Sequence, residues 1–156
     1  MDIQQQKEYC RGVISTSPAC YLATVNEEGF PEIRAMLNLR SPAAFPELRD
    51  FFNRQAEEFT VYLTTNTSSV KMGQIRRNPK ISLYYCALEA WQGVMLRGVV
   101  EIVADREVKK ALWQPNWSMY YPLGLSDPDF TIARLRPDTV KAYGNLSAFT
   151  FAPEAV

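Results

Sequence analysis

The sequence predicts a mainly β fold, a small closed β-barrel that carries short helices between its strands. Six or seven runs are rich in aromatic and β-branched residues, the composition typical of β-strands. The longest run, 91–105, contains Gly93 and Gly98, where a strand can bend as a barrel requires. Three or four short segments with helical spacing lie between these runs, which favours a barrel over a doubly wound parallel sheet.

The size of the chain limits the number of domains. A chain of 156 residues with 47% hydrophobic side chains can build one compact core and is too short for two. No internal repeat or low-complexity linker divides it. We therefore expect a single domain over residues 1–156.

The first elements are predicted to be a helix and a hairpin. Asp2 is a suitable N-cap for a helix over the following residues, and Ser17-Pro18 ends that helix. Two β-rich runs, 20–26 and 32–39, flank the turn sequence EEGFP. A Gly/Pro turn between two such runs is typical of a β-hairpin.

Two further helices are predicted from apolar spacing and end signals. Leu48, Phe51 and Phe52 follow Pro46 at helical spacing. A later helix begins after Asp105 as N-cap and ends at Pro115. The remaining strands are predicted over 58–66, 81–88, 91–105, 130–136 and 139–146.

Charge and hydropathy exclude two kinds of partner. Lys and Arg together number 17, as do Asp and Glu, so there is no net positive field for a nucleic acid. The apolar runs fall well short of the roughly 20 residues that span a bilayer. The N-terminal residues also lack the apolar core of a signal peptide. We expect a cytoplasmic protein that binds neither nucleic acid nor membrane.

The reactive side chains limit the chemistry that the chain can perform unaided. Its three cysteines are far apart and lack CxxC spacing, which argues against a disulfide framework or a zinc site and favours buried or bystander thiols. Histidine is absent, so a Ser-His or Cys-His nucleophile cannot form, and no metal site is expected. Catalysis would therefore need a cofactor.

The segment TTNTSSVKMGQIRRNP, 64–79, combines a strand end with a helix start. The N–H groups of that helix start, the hydroxyls of Ser68 and Ser69 and the ammonium of Lys71 are the donors that a phosphate monoester needs. Alternatively, the serines only cap the helix and Lys71 is solvated. The glycines of a P-loop are missing, which disfavours a nucleotide triphosphatase.

Two stretches of sequence carry a family resemblance. GFPEIRAMLNLR (29–40) and TVYLTTNTSSVKMGQIRRNPKISLYY (60–85) together resemble the FMN-binding split-barrel family of the pyridoxamine 5′-phosphate oxidase type, and most closely its short, general-stress-protein branch. The resemblance runs from about Cys20 to Ala104 and more loosely beyond. It implies a six-stranded split β-barrel that binds FMN.

The resemblance also implies which residues bind FMN. The second strand would lie along the phosphate, the ribityl chain and the ring edge, and the end of a later strand would add two threonines. A serine and a lysine at the next helix start would bind the phosphate, with a glutamine one turn later. The matching residues are Arg34, Ala35, Met36, Leu37, Thr64, Thr65, Ser69, Lys71 and Gln74.

The chain departs from the full oxidases at several positions. Val70 replaces a basic residue, and the Trp and Arg-His substrate motif is missing near the C-terminus. True pyridoxamine phosphate oxidation is therefore not expected. Gln92 lies one residue away from the position of a glutamine that the family supplies from the partner subunit. The aromatic residues Trp113, Trp117, Tyr120 and Tyr121 either cover a flavin face or pack at the barrel end.

The leading functional hypothesis is an FMN-dependent oxidoreductase. FMN would pass electrons between a nicotinamide donor, NADH or NADPH, and a small organic acceptor. A non-catalytic flavin-binding stress or sensor protein is the first alternative. Another ligand, such as haem or deazaflavin, is the second, and haem ranks last because the usual histidine ligand is missing. The resemblance further implies a homodimer with FMN at its interface.

Overall fold

A computed structural model describes residues 1–153, which form a mainly β structure. None of the helices in this range is long and apolar enough to cross a membrane. The helices are α1 Ile3–Thr16, α2 Arg49–Asn53, α3 Val70–Arg77 and α4 Arg106–Leu112. The strands are β1 Ala19–Val25, β2 Pro31–Leu37, β3 Val61–Asn66, β4 Lys80–Ala87, β5 Gln92–Ile102, β6 Phe130–Leu135, β7 Thr139–Gly144 and β8 Ser147–Phe151.

The strands form one curled antiparallel sheet, the split barrel that the sequence predicts. Its main path runs β2-β1-β4-β5-β6-β3, and β7 and β8 branch from β5. The two ends of the path, β2 and β3, are not paired with each other. The barrel is therefore split between β2 and β3.

Strand β5 connects the two parts of the sheet because it changes partners along its length. One edge pairs with β4 from Gln92 to Val99, whereas the other pairs first with β7 and then, from Val100, with β6. Gly98 lies at the change, and a Cβ there would be 3.1 Å from the carbonyl oxygen of Arg136. The close approach of the β6–β7 turn therefore requires glycine, at one of the two predicted bend positions.

The sheet has eight strands rather than six or seven, because the last predicted strand is followed by a further strand that forms a hairpin with it. The run predicted over 139–146 ends at Gly144, and a separate strand, β8, follows. Asn145 and Leu146 turn the chain with φ angles of 51° and 58°. Asparagine accepts this left-handed backbone readily and leucine does not. Only one of the two turn residues is therefore of a type that predicts a hairpin turn.

Two apolar clusters fill the structure. The larger lies inside the barrel, where α1 packs Cys10, Val13 and Ile14 against the sheet. Asp2 begins this helix with a reciprocal pair of hydrogen bonds to Gln5, as its sequence predicts. The smaller cluster lies outside β3 and β6, where the aromatic segment after α4 covers them. This second cluster positions the candidate site.

Candidate functional site

A cleft of about 440 Å³ opens at the split between β2 and β3. The C-terminal half of β2 forms one wall and the end of β3 the other, with the start of α3 and the aromatic segment after α4 at its ends. It is lined by Pro18, Ala19, Ala35, Met36, Leu37, Thr64, Thr65, Asn66, Lys71, Trp117, Tyr120 and Tyr121. A cleft of this volume lies in the range of about 300–1,000 Å³ that is typical of small-molecule sites.

The polar end of the cleft is the junction of β3 and α3. Ser69 is the N-cap residue, but its side chain makes no capping bond and its Oγ lies 3.4 Å from Oγ1 of Thr65. In the described residues the N–H groups of Val70 and Lys71 donate no hydrogen bond. This junction therefore keeps hydroxyls and N–H groups free for a ligand.

Ser68 does not belong to this set of donors, contrary to the sequence-based expectation. Its side chain is exposed, and its N–H donates to Oδ1 of Asp129 at 2.8 Å. The other oxygen of Asp129 accepts from Asn66 at 2.6 Å. These hydrogen bonds lower the pKa of Asp129 and fix the loop before α3.

Lys71 supplies a cation at the cleft. It is the second residue of α3 and is half-buried rather than fully exposed. No carboxylate within residues 1–153 lies within 4.0 Å of its ammonium group. Burial and, to a smaller extent, the charge of Arg34 lower the pKa of Lys71. An anion in the cleft would raise the pKa of Lys71 again, because it would offset the repulsion from Arg34 and the loss of hydration.

Arg34 lies behind the cleft instead of lining it. Its guanidinium donates to Oγ1 of Thr24 at 2.6 Å, to the carbonyl oxygen of Glu32 at 3.0 Å and to Oε1 of Gln74 at 3.1 Å. The carboxylate of Glu32 lies 3.5 Å away. Desolvation lowers the pKa of Arg34, and Glu32 opposes that effect. Arg34 is thus fixed between β1, β2 and α3.

Gln74 completes this polar network and ties α3 to the sheet. Its side chain is buried, accepts from Thr24 at 2.5 Å and donates to Oε2 of Glu32 at 2.7 Å. Hydrogen bonds from Gln74 and Asn26 lower the pKa of Glu32. Because α3 carries Lys71 one turn earlier, the network sets where the lysine lies.

The structure groups the nine predicted site residues in two layers. Six line the cleft: Ala35, Met36, Leu37, Thr64, Thr65 and Lys71. Ser69 borders it through its contact with Thr65, while Arg34 and Gln74 form the layer behind. Sequence reasoning missed Pro18, Ala19 and Asp129. The sequence around Asp129 does not predict its role, because only the pairing of β3 with β6 brings this residue close to α3.

The four aromatic residues after α4 have different positions. Trp113 does not line the cleft and packs edge-on against Trp117 and Phe130. Trp117 and Tyr121 are buried and contribute to one wall of the cleft, and Tyr120 lines it while remaining largely exposed. The segment therefore packs on the barrel and also lines the cleft, and its role as a cover for a flavin face stays a prediction.

Gln92 lies away from the cleft of its own chain. It is the first residue of β5 and pairs with Ala87 across the hairpin. The cleft lining contains no residue of β5. A contribution of Gln92 to a flavin site therefore requires a second subunit and stays a prediction.

Known structures share this architecture. A protein from Clostridium acetobutylicum related to general stress protein 26 of B. subtilis superposes with a TM-score of 0.74 at 28% identity, covering 96% of this chain and 95% of its own. General stress protein 26 from Bacillus anthracis gives a TM-score of 0.69 at 19% identity, covering 94% and 99%. A haem-binding protein from Mycobacterium smegmatis gives a TM-score of 0.66 at 17% identity, covering 94% of this chain and 57% of its own.

The sequence itself also identifies the family. No curated protein sequence matches the chain. The family model described as pyridoxamine 5′-phosphate oxidase, however, matches residues 6–144, a span that includes both walls of the cleft and the polar network behind it. With this match over most of its length and a split barrel shared with the two stress proteins, the chain belongs to the pyridoxamine 5′-phosphate oxidase family.

Proposed function

We propose that the chain binds FMN in the cleft between β2 and β3 and works as an FMN-dependent oxidoreductase. One observation carries this proposal: among residues 1–153, an ammonium group without a carboxylate partner, two unused helix N–H groups and two hydroxyls lie at one end of a cleft with largely apolar walls. This arrangement suits a phosphate ester with a large flat apolar body.

The polar end suits the FMN phosphate. Lys71 and the N–H groups of Val70 and Lys71 would donate to its oxygens, with Thr65 and Ser69 beside them. Each hydrogen bond to a charged group contributes about 1.5–3 kcal/mol. Arg34 would act as a second positive charge behind Lys71, because its Nη1 and Nη2 already donate within the network and the residue does not line the cleft.

The remaining walls suit the ribityl chain and the ring. Ala35, Met36 and Leu37 offer a strand edge on one side, and Thr64 offers a hydroxyl on the other. Trp117 and Tyr121 add aromatic surface to the lining. Apolar and aromatic surface excludes water from a flavin ring and keeps it in one orientation.

The redox role follows from the cofactor. FMN, when bound, supplies hydride or electron transfer, and we propose a nicotinamide nucleotide as donor and a small organic molecule as acceptor. Pyridoxamine phosphate itself is not the proposed substrate. Val70 supplies no second basic group beside Lys71, and the chain has no histidine with which to form the Arg-His motif of the full oxidases.

The cofactor is tested by the absorption spectrum of the purified protein. A yellow preparation that releases one FMN per chain on denaturation is expected. If FMN is lost in purification, added FMN should restore the spectrum at micromolar concentration. A folded, colourless protein that ignores added FMN would overturn the proposal.

Turnover distinguishes an enzyme from the alternative, a non-catalytic flavin-binding stress or sensor protein. The FMN-loaded protein is mixed with NADH or NADPH without oxygen. Bleaching of the flavin within seconds, reversed by a quinone or a nitroaromatic acceptor over many cycles, is the expected result. Retention of the oxidised spectrum with both donors would leave flavin binding intact and show that the redox role is wrong.

Haem is the competing ligand, because one structural neighbour is a haem-binding protein. The usual axial ligand, histidine, does not occur in this chain. The lining of the cleft includes Met36, Tyr120 and Tyr121, which are weaker candidates. Titration with haem and with FMN on the same preparation separates the two: a Soret band at stoichiometric haem, with no FMN uptake, would favour haem.

We further propose that a second copy of the chain completes the site, with strand 91–104 and the aromatic segment 113–121 as further candidate surfaces for the partner. The outer face of the sheet next to the cleft exposes the apolar side chains of Tyr21, Ile33, Leu37, Tyr84 and Tyr143. Leu37 belongs both to this face and to the cleft lining. A partner docked on the face would therefore also cover the open side of the cleft. Val99 and Ile102 of β5 and Met119 of the aromatic segment are exposed as well.

A further inference from the structure

A second cavity, of about 270 Å³, lies beneath α1 and α2 and shares no lining residue with the cleft. Its walls come from the middle of α1, the segment after β2, α2 and the residues before β3. Three arginines line it, Arg11, Arg40 and Arg49, against a single carboxylate, Glu58. The cavity therefore has an excess of positive charge although the chain as a whole is neutral.

Arg40 is the innermost of these cations. Its Nε donates to the carbonyl oxygen of Thr60 at 2.9 Å, and its Nη2 donates to those of Glu58 and Thr60 at 2.8 and 2.6 Å. Its Cζ lies 4.6 Å from the centre of the Phe52 ring. Burial lowers the pKa of Arg40 to about 10, which still leaves the side chain charged at neutral pH.

No ion pair neutralises the charge of Arg40 within the part of the chain that the structure describes. Within residues 1–153 no carboxylate lies within 4.0 Å of its guanidinium, and its Nη1 has no acceptor. No fully buried side-chain nitrogen in that range lacks a partner, so Nη1 is open to solvent. A partly buried guanidinium with two unused N–H groups and no counter-ion favours an anionic ligand.

The other two arginines differ in their partners. Arg11 forms an ion pair with Glu58, so its charge is already balanced. Arg49 is exposed at the start of α2 and makes no ion pair or side-chain hydrogen bond in the described part of the chain. Arg40 and Arg49 together leave two positive charges available at the cavity.

Most of the remaining lining is apolar, although Ser15 and Asn53 also contribute to it. Ile14, Leu39, Phe45, Phe52 and Phe59 supply most of the wall between the arginines. At roughly 30 Å³ for each water-sized group, the cavity holds about nine such groups. This combination suits a molecule with one anionic end and a short hydrocarbon body, and it is too small for a nucleotide.

We propose that this cavity is a binding site for a small organic carboxylate, whose head contacts Arg40 and Arg49 and whose apolar body lies against Phe45, Phe52 and Phe59. Arg40 would donate to one carboxylate oxygen through Nη1, because its Nε and Nη2 already donate to backbone carbonyls. The planar guanidinium of Arg49, which has no partner among residues 1–153, can donate in parallel to a carboxylate. The site is separate from the proposed flavin site. Its occupancy should therefore not depend on FMN.

Calorimetric titration with hexanoate tests this site, with hexanamide as the neutral counterpart of equal shape. We expect saturable binding of hexanoate, one per chain, at least tenfold tighter than that of hexanamide. The titration is repeated with excess FMN, and the hexanoate affinity should not change. Equal affinities for the two probes, or no saturable binding up to about 10 mM, would show that the proposal is wrong, as would competition with FMN.

Arg49→Gln and Arg54→Gln form a matched pair of variants. Both residues are exposed on α2 or at its end, but only Arg49 lines the cavity. Arg49→Gln should weaken hexanoate binding about tenfold without changing hexanamide, whereas Arg54→Gln should change neither. If both variants lost hexanoate affinity equally, the probe would be responding to the general surface charge and the proposed site would be wrong. Arg40 is replaced by lysine rather than glutamine, because its three hydrogen bonds to backbone carbonyls support the fold.

Discussion

Lys71 is the residue on which phosphate recognition is expected to depend. We predict that Lys71→Ala weakens FMN binding by about 1.5–3 kcal/mol, roughly ten- to hundred-fold, because a charge-assisted hydrogen bond is lost. Riboflavin lacks the phosphate, so its affinity should barely change. Quenching of flavin fluorescence measures both affinities.

Lys80→Ala is the matched control, because Lys80 is exposed at the start of β4 and does not line the cleft. It should leave both affinities unchanged. Because Lys71 is half-buried, its variant is first checked for an unaltered thermal transition. An equal loss for FMN and riboflavin would mean that Lys71 does not contact the phosphate.

The three thiols are predicted to react at very different rates. Cys10 and Cys20 are buried, and desolvation raises the pKa of each to about 12. At about pH 8 only one in roughly ten thousand of either would be thiolate, the reactive form. Cys86 is half-buried. One rapid equivalent of DTNB reaction, at Cys86, and two more only after unfolding are expected.

Cys86→Ser provides the control for that experiment. It should abolish the rapid phase and leave the two slow equivalents. Rapid reaction of two or three thiols in the native protein would contradict the burial of Cys10 and Cys20. The thiols are free in the structure, as their irregular spacing in the sequence predicts.

At the residue scale, the sequence predicts contacts that are local and misses those made by folding. Thr64, Thr65 and Lys71 lie within eight positions of one another, so one motif contains them. Arg34 was expected at the phosphate, but its partners Thr24 and Gln74 come from a neighbouring strand and a distant helix. Only the pairing of β1 with β2 and the docking of α3 reveal that Arg34 lies behind the cleft.

At the scale of elements, α1 docks on β7 through Tyr9 and Gly144. The Tyr9 hydroxyl donates to the carbonyl oxygen of Tyr143 at 2.9 Å and crosses over Gly144, where an added Cβ would overlap it. Gly144→Ala should therefore lower the free energy of unfolding by about 1–3 kcal/mol. Urea denaturation followed by circular dichroism measures the change.

Gly12→Ala is the matched control for this contact. Gly12 lies within α1, and an added Cβ meets no atom within 4 Å. That substitution should stabilise the protein by about 0.5–1 kcal/mol, as alanine does in a helix. In a Tyr9→Ala background, Gly144→Ala should lower the free energy of unfolding by a smaller amount. If the loss were as large as in the wild-type background, the Tyr9 side chain would not be its cause.

The elements that sequence predicts well are those with local end signals. Asp2 and Ser17-Pro18 delimit α1, and Asp105 begins α4 with a hydrogen bond to Glu107. Strand β3 begins at Val61, three positions after its predicted start, because Thr60 closes a turn onto Glu57. That turn has no glycine or proline to mark it.

At the scale of the whole molecule, FMN binding and dimer formation should be linked. If FMN lies under a partner docked on the apolar outer face, it binds the dimer better than the monomer, and added FMN must oppose dissociation on dilution. Analytical ultracentrifugation of apo and FMN-loaded protein over a dilution series measures this. A monomer with full FMN affinity would exclude the shared site.

Ile33→Glu tests the same linkage from the protein side. Ile33 is 70% exposed, lies on the outer face and does not line the cleft. A charge there should oppose dimer formation and lower FMN affinity with no direct contact to the cofactor. The sequence predicts the split barrel through its family motifs, but the apolar outer face proposed to bind a second copy becomes apparent only when the strands are assembled.

The pairing of β3 with β6 also has a consequence for how fast the chain folds. Asn66 pairs with Phe130, and α3, β4, β5 and α4 all lie between them in sequence. Closing this long loop costs chain entropy before the contacts between β3 and β6 can form. The β1–β2 hairpin closes a much shorter loop and costs less entropy. Stopped-flow refolding should show tryptophan burial at Trp117, which packs on β6, on the scale of milliseconds to seconds. Completion within microseconds would mean that the aromatic segment collapses before its strands pair.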